Sequence, residues 1–112
     1  MYRFDWPSPV FGGVLKACHS LEIPFVWNNL DKAGVSRFTG DDPSRQQVAD
    51  AMHAAWIAFA RNGDPNAPGA SEWPAYEAGQ RATMLFNETS RVENDPRSAE
   101  RLAWEKARSV LA

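Results

Sequence analysis

The sequence predicts a small α/β fold with two strands, two main helices and long loops. Two segments have the residue pattern of strands, and two others begin with the same Asp-Pro signal for the start of a helix. Stretches rich in proline and glycine separate these segments. Because 112 residues suffice for one small core, we expect a single domain over residues 1–112.

The first predicted strand covers residues 2–6. Three aromatic residues alternate there with Arg3 and Asp5, and prolines at positions 7 and 9 end the alternation. A period of two residues is typical of a strand with two different faces. The second predicted strand is RATMLF, residues 81–86. Two short strands rarely make a stable sheet alone, so the fold needs further contacts.

The first main helix is predicted over residues 43–62. Asp42 and Pro43 supply the start signal, and Asn62 followed by Gly63 supplies the stop. Apolar residues recur along it at helical spacing, which indicates a face packed against a large partner. That face comprises Val48, Met52, Trp56 and Phe59, widened by Ala49, Ile57 and Ala60.

The second main helix is predicted to follow Asp95 and Pro96. Its spacing sets Arg101 against Glu105, and Glu105 against Arg108, at distances suited to ion pairs. The opposite side is apolar, so we expect this helix to dock on a surface. That side carries Ala99, Ala103, Ala107, Val110 and Leu111.

Three connecting segments complete the prediction. Residues 7–16 form a loop whose flexible point is Gly12-Gly13, and residues 21–30 are apolar enough to be buried. Residues 63–80 form a long connection that we expect Trp73 and Tyr76 to pin to the body.

The composition excludes several classes of function. Twelve Lys and Arg against 14 Asp and Glu give a net charge of −2, without the basic stripe that a nucleic-acid partner requires. The single cysteine, Cys18, can form neither an intrachain disulfide nor, by itself, a zinc site. No apolar window approaches the ~18 residues that span a bilayer, so we expect a soluble chain. We therefore expect no metal, cofactor, nucleic acid or membrane partner.

The aromatic content indicates that the domain is partial. Five tryptophans and six phenylalanines bury large areas only against a complementary surface, and two helices with two strands offer little of it. Seven strings then occur in an informative order along the chain. They are YRFDW, ACHSLEIPFVW, FTGDDP, AWIAFARNGDPN, WPAY, RATMLF and NDPRSAERLAWE.

In these strings the chain resembles the C-terminal part of type-B carboxylesterases, the family of para-nitrobenzyl esterases and cholinesterases. The likeness runs from Tyr2 to about Trp104. It implies the C-terminal portion of an α/β-hydrolase catalytic domain, with YRFDW as a late strand of a parallel sheet and RATMLF as the last strand. It also implies that His19 is the histidine of the catalytic triad and that the substrate of the complete enzyme is a carboxylic ester.

The triad chemistry needs groups that this chain lacks. An imidazole takes the proton of a serine hydroxyl as that oxygen attacks the ester carbonyl, and an acid holds the imidazole in the required tautomer. In α/β-hydrolases the serine and the acid precede the histidine, so the resemblance implies that both lie upstream of Met1. The chain alone is therefore expected to be inactive, as part of a larger or split enzyme.

Replacement groups are weak candidates. The segment 69–73 holds Ser71 but lacks the second glycine of a G-x-S-x-G elbow. Cys18 and Ser20 adjoin His19, and neighbouring side chains point apart, so Cys18 is interpreted as a packing residue. Gly12-Gly13 is interpreted as a loop hinge and not as an oxyanion hole.

Other polar and aromatic residues receive structural interpretations. Glu22 is close to His19 but is expected to support the histidine loop through a partly buried hydrogen bond, since the triad acid lies upstream in the family. His53 is expected to be a helix-surface histidine, because the chain offers no set of three or four metal ligands around it. Trp56 and Trp104 are expected in the core.

A second hypothesis belongs to another class of function. The chain could be a non-catalytic α+β module that hides its strand edge and aromatic surface by pairing with a copy of itself. In either case we expect the isolated piece to be oligomeric or rearranged, with a second copy or a complementing N-terminal part as its partner.

Overall fold

The computed structural model describes residues 1–70 and 72–111, which form one three-stranded sheet and four α-helices. Ser71, the serine of the incomplete elbow, lies outside the described residues. The strands and helices are, in chain order, β1 (Tyr2–Phe4), α1 (Ile23–Val26), α2 (Ser36–Thr39), α3 (Ser44–Asn62), β2 (Ala82–Phe86), β3 (Arg91–Asn94) and α4 (Ser98–Leu111).

The sheet has the strand order β1-β2-β3. β1 runs parallel to β2 with Tyr2 opposite Met84, and β3 runs antiparallel to β2. Both predicted strands are confirmed, but the expected number of two is wrong. β3 was missed because Val92 is its one apolar residue. Its pairing with β2 is also set by the four-residue hairpin loop between the two strands, in which Ser90 Oγ donates to the Asn87 carbonyl at 3.1 Å.

α3 begins and ends close to the predicted residues. The Asp42 carboxylate accepts a hydrogen bond from the Ser44 N–H at 2.8 Å, and hydrogen bonding from Ser44 lowers the pKa of Asp42. The helix ends at Gly63, whose φ of 76° is left-handed and whose N–H donates to the Phe59 carbonyl at 2.8 Å. The start and stop signals in the sequence are therefore confirmed.

The buried face of α3 is narrower than predicted. Its N-terminal half packs against α1 and joins the core cluster that includes Met84 and Phe86 of β2, whereas Phe59 is 59% exposed and borders an open cavity. Ile57 and Ala60 are exposed too, so the predicted apolar face is wrong for the last turns of the helix. Its buried residues are Val48, Ala49, Met52 and Ala55.

An aromatic cluster joins β1 to α1 and α3. The Phe4 and Trp6 rings each lie 5.0 Å from the Phe25 ring, centroid to centroid. Trp6 is 1% exposed, and its Nε1–H donates to Ser44 Oγ at 3.1 Å. The buried indole is therefore satisfied at its polar end, as burial of a tryptophan requires.

The segments predicted to be buried are buried in part. In residues 21–30, Leu21 and Phe25 are fully enclosed, but Ile23 and Trp27 are 49% and 68% exposed. In the connection over residues 63–80, Trp73 is 9% exposed and its Nε1–H donates to the Met1 carbonyl at 3.1 Å. This tryptophan therefore attaches the connection to the rest of the fold.

α4 contacts the body through charges. Arg101 donates two hydrogen bonds to the Asp95 carboxylate, at 2.8 and 2.6 Å, and a third to Glu105 at 2.7 Å. These hydrogen bonds lower the pKa of Asp95 and raise that of Arg101. The Arg101–Glu105 pair predicted from spacing is confirmed.

The predicted docking of α4 is wrong within the described part of the chain. Over residues 98–110 its side chains are exposed except for that of Arg101, and Trp104, expected in the core, is 72% exposed. The pattern marked an apolar face correctly, but no other element covers that face within residues 1–70 and 72–111. Over the same residues, no helix combines the length and hydropathy needed to cross a bilayer.

Candidate active site

His19 lies on the connection that follows the carboxyl end of β1. The chain leaves β1 at Phe4, crosses a pinned loop and turns at residues 19–22 into α1. Parallel strands present their carboxyl ends at one edge of the sheet, and connections at that edge carry binding and catalytic groups in open α/β folds. β1 and β2 form such a parallel pair, and the connection that carries His19 follows the carboxyl end of β1.

A tight turn presents the His19 side chain. The Leu21 N–H donates to the Cys18 carbonyl at 3.2 Å, which closes a four-residue turn with His19 and Ser20 at its centre. Ser20 has a φ of 64°, and a positive φ at the third residue is what a type II turn requires. His19 thereby occupies the tip of the turn, and it is exposed.

Both ends of this turn are anchored. Leu21 has no exposed surface, and Cys18 is half-buried and packs against the hydrophobic core. Cys18 therefore has the environment of the packing residue that its interpretation predicted. The arrangement fixes the backbone of a turn whose central imidazole is exposed to solvent.

The loop before the turn is pinned by Ser8, a residue that the sequence interpretation missed. Ser8 is fully enclosed; its Oγ donates to the Phe38 carbonyl at 2.7 Å, and its N–H donates to the Lys16 carbonyl at 3.1 Å. Gly40 tightens the same region, because an added Cβ there would lie 2.7 Å from Pro9 Cγ. In the sequence, only the prolines on both sides of Ser8 indicated that the backbone at this residue is ordered.

The glycine pair in this loop has a conformational role. Gly12 and Gly13 have φ values of 66° and 78°, in the left-handed region where a side chain is unfavourable. These values explain the two glycines without a role in substrate binding.

Glu22 lies at the start of α1 and is half-buried. Its backbone carbonyl accepts hydrogen bonds from the N–H groups of Phe25 and Val26, both at 3.0 Å. Its carboxylate does not cap the helix. Within residues 1–70 and 72–111 no side chain forms a hydrogen bond with the His19 imidazole.

His53 differs from the helix-surface histidine that was predicted. It is half-buried on α3, and its Nδ1 lies 2.8 Å from the Val26 carbonyl at the end of α1. A carbonyl only accepts, so Nδ1 carries the proton of this bond. His53 therefore joins two helices, and among the described residues no group of three or more His, Cys, Asp or Glu side chains could hold a metal ion.

Two cavities lie away from His19. The larger, about 610 Å³, opens between the amino end of β1, the end of α3 and the connection that follows α3. The smaller, about 280 Å³, lies beside the β2–β3 hairpin. His19 lines neither of them. Trp56, predicted in the core, is half-buried and borders the larger cavity, as do Tyr2, Phe59, Trp73 and Tyr76.

Comparison with known proteins gives a consistent result. A family model described as the carboxylesterase family matches residues 1–104. The para-nitrobenzyl esterase of Bacillus subtilis is 40% identical over 103 residues, covering 90% of this chain and 20% of that protein. The phenmedipham hydrolase of Pseudarthrobacter oxydans is 38% identical over 89 residues, covering 78% of this chain and 18% of that protein.

Solved structures agree with these relatives. A carboxylesterase of Geobacillus stearothermophilus, with the α/β-hydrolase fold, superposes with a TM-score of 0.77 at 50% identity, covering 93% of this chain and 21% of that one. A thermophilic pNB esterase gives a TM-score of 0.77 at 37% identity, covering 91% and 21%. The chain thus spans about a fifth of the length of the relatives it matches, and its fold is the C-terminal part of theirs.

Proposed function

The chain belongs to the carboxylesterase family, and on that premise we propose that it is the C-terminal segment of a serine carboxylic-ester hydrolase, to which it supplies the triad histidine His19. The observation that carries this proposal is the exposed position of His19 on an anchored turn beyond the carboxyl end of β1. Residues 1–112 are, on this proposal, one partial domain.

In the proposed reaction His19 moves one proton twice. The imidazole accepts the serine proton as the serine oxygen bonds to the ester carbonyl carbon, and it then gives that proton to the departing alcohol oxygen. A water repeats the sequence on the acyl-enzyme, so that a carboxylic acid leaves and the serine is regenerated. The serine, the acid and the oxyanion hole belong to a complementing N-terminal part.

Glu22 is proposed as a supporting residue for this histidine. Its position three residues after His19, half-buried at the start of α1, suits a group that stiffens the histidine connection. Its carboxylate is free of the helix cap and available to a donor from the complementing part.

A chimeric enzyme tests the proposal directly. This chain replaces the matching C-terminal fifth of the Bacillus subtilis para-nitrobenzyl esterase, and hydrolysis of a p-nitrophenyl ester is measured. We expect saturable hydrolysis that His19→Ala abolishes and that the matched control His53→Ala retains. Equal activity of the His19→Ala chimera and its parent would refute the proposed role.

The chain on its own provides the second half of the test. A fluorophosphonate probe should label no serine, and p-nitrophenyl ester hydrolysis should show no saturation, because a bare imidazole attacks activated esters only slowly. Labelling of a serine in the purified chain would contradict the proposed inactivity.

A self-associating, non-catalytic module is the second candidate function. It is favoured by the exposure of Trp27 and Trp104, at 68% and 72%, on a chain whose α4 face is uncovered within the described residues. Concentration-dependent light scattering that indicates a dimer, together with an inactive chimera, would favour this function over the esterase segment.

A further inference from the structure

The larger cavity is surrounded by aromatic rings. It opens beside the amino end of β1, whereas His19 follows the carboxyl end of that strand and does not line the cavity. Its volume of about 610 Å³ suits a ligand of the size of a drug molecule. The aromatic side chains that line it are Tyr2, Trp56, Phe59, Trp73 and Tyr76. Ring faces attract both other rings and cations, so this lining favours an aromatic or a cationic ligand.

A buried phenylalanine of β2 holds three of these rings in place. Phe86 is 2% exposed. The rings around it are those of Tyr2, Trp56 and Trp73, at centroid distances of 6.2, 6.1 and 5.8 Å. Tyr2 and Trp56 also meet edge to face at 4.8 Å. The contacts order the rings before a ligand arrives, which lowers the entropic cost of binding.

Asn66 connects the segment after α3 to Trp73. Its Oδ1 accepts from the Trp73 N–H at 2.7 Å, and its Nδ2 donates to the Trp73 carbonyl at 3.0 Å. The same Nδ2 and the Asn66 backbone N–H donate to Asp64 Oδ1, at 2.7 and 2.9 Å. The Asp64 carboxylate is thus held at the cavity through one oxygen. No hydrogen bond from residues 1–70 and 72–111 reaches its Oδ2.

The charged residues of the lining are acidic. They are Asp64 and Glu72, and within the described part of the chain no Lys, Arg or His lines the cavity. Arg81 comes near, since it donates to the Tyr76 hydroxyl at 3.1 Å, but two carboxylates, each 3.9 Å away, balance its charge. The cavity therefore has a negative potential, which attracts a cation and repels an anion.

We propose that this cavity binds an organic cation, an ammonium group attached to an aromatic or branched alkyl body. The rings contribute cation–π attraction and apolar contact, and Asp64 contributes a fixed counter-charge that accepts a charge-assisted hydrogen bond. The proposal goes beyond the esterase function and does not depend on it, because neither His19 nor Glu22 lines the cavity.

A neutral aromatic molecule is the less suitable occupant. It would gain the same ring contacts but no attraction from the carboxylates. Its bulk would also displace part of their water without replacing the lost hydrogen bonds. The positive charge of the ligand is therefore the property to test.

Three matched probes test the charge preference. Naphthylmethylammonium, naphthylmethanol and naphthylacetate share a ring system and differ in charge. Titration of the isotope-labelled chain, followed by NMR of the indole N–H groups, measures both the affinity and the place of binding. We expect the cation to bind at least about fivefold more tightly than the alcohol, and the anion to bind most weakly. The signals of Trp56 and Trp73 should shift, and the controls outside the lining are Trp6, Trp27 and Trp104.

Substitution of the carboxylate separates its charge from its shape. Asp64→Asn keeps an oxygen that can accept from Asn66, so the connection should stay folded. It should weaken binding of the cation at least about threefold and leave binding of the alcohol unchanged. Asp31→Asn is the matched control and should change neither, because Asp31 has a side chain that is 75% exposed and lies outside the lining.

Substitution of a ring tests the other half of the site. Phe59 is 59% exposed at the cavity, so its replacement disturbs little of the core. Phe59→Leu should weaken binding of the cation at least about twofold. Phe11→Leu is the matched control, because Phe11 is 77% exposed and does not line the cavity.

The chimera tests the cavity in the presence of the complementing part. The cation should raise the Tm of the chimera, and the rise should be smaller for Asp64→Asn than for Asp31→Asn. Equal affinity for the cation and the alcohol would overturn the proposal. So would shifts confined to Trp27 and Trp104, or a Tm of the chimera that responds to the cation equally in both variants.

Discussion

The Nδ1 atom of His53 lies 2.8 Å from the carbonyl oxygen of Val26, and this hydrogen bond joins the middle of α3 to the end of α1. α1 follows the turn that carries His19, and the contact lies at the other end of that helix from the turn. The two histidines of the chain thus have opposite environments, one half-buried and bonded, the other exposed.

His53→Ala should destabilise the chain. The substitution leaves the partly buried Val26 carbonyl without its donor, which costs about 1–2 kcal/mol. Urea unfolding monitored by tryptophan fluorescence measures the change in the free energy of unfolding. His19→Ala is the matched control and should change it by less than about 0.5 kcal/mol, because His19 is exposed. A larger effect at His19 than at His53 would contradict this assignment.

His19→Ala should reduce turnover without weakening substrate binding. In the chimera described above we expect kcat to fall by roughly a thousandfold or more, with little change in KM, because the role proposed for the imidazole is proton transfer. Steady-state kinetics with a p-nitrophenyl ester measure both constants. An unchanged thermal unfolding temperature shows that the loss is chemical, and a loss confined to KM would count against it.

Ser20 should tolerate glycine and reject a β-branched residue. Its φ of 64° lies in the left-handed region, where valine costs about 1–2 kcal/mol relative to glycine. Ser20→Gly should therefore preserve the stability and the chimera's activity, and Ser20→Val should reduce both. Ser109→Val, at an exposed position within α4, controls for the substitution itself. Equal stability of Ser20→Val and Ser20→Gly would refute the turn geometry.

Acid should release α4 from the body. Hydrogen bonds from Arg101 lower the pKa of Asp95, so the ionised carboxylate favours the folded contact. For a lowered pKa this contribution is full above the unfolded value of about 3.9 and is lost as the pH falls through the folded value. The protection of the α4 amides, taken as their exchange rates relative to the intrinsic rates at each pH, should therefore fall between pH 5 and pH 2.

Asp95→Asn provides the control for that titration. It should give fast α4 exchange already at pH 5, and 1 M salt should have a similar effect on the parent by screening the charges. α4 amides that stay as protected in Asp95→Asn as in the parent at pH 5 would show that other contacts hold the helix.

Local signals in the sequence predicted the regular elements well. Asp42 and Pro43 mark the start of α3, and Gly63 marks its end. Each of these residues affects only the backbone within a few positions of it in the chain. Local signals did not predict the strand β3, because its mostly polar residues form a strand only through hydrogen bonds to β2. Pairing depends on residues elsewhere in the chain and not on local pattern.

Burial was predicted less well than helix position. The spacing of apolar residues in α4 identified an apolar side, but a periodic pattern does not state what covers that side. Trp104 was therefore predicted to lie in the core, but no other element in the described part of the chain covers it. The predicted burial of Phe59 was wrong for the same reason, because its ring borders the cavity at the end of α3 and is left uncovered.

At the candidate site the sequence predicted which residue matters, His19, but not the turn and the contacts that hold it. The role of His19 was predicted from the family resemblance alone, because one histidine has no internal pattern. The turn at Ser20, the anchor at Leu21 and the buried hydroxyl of Ser8 depend on contacts that no short motif encodes.

The enclosed hydroxyl of Ser8 has a consequence for how such a protein evolves. It reacts with nothing, yet it sets the path of the backbone toward His19 by holding the Phe38 carbonyl. A small displacement there would alter the aim of an imidazole eleven positions away along the chain. On the proposed role of His19, natural selection for ester hydrolysis would therefore also act on a side chain that takes no part in the reaction.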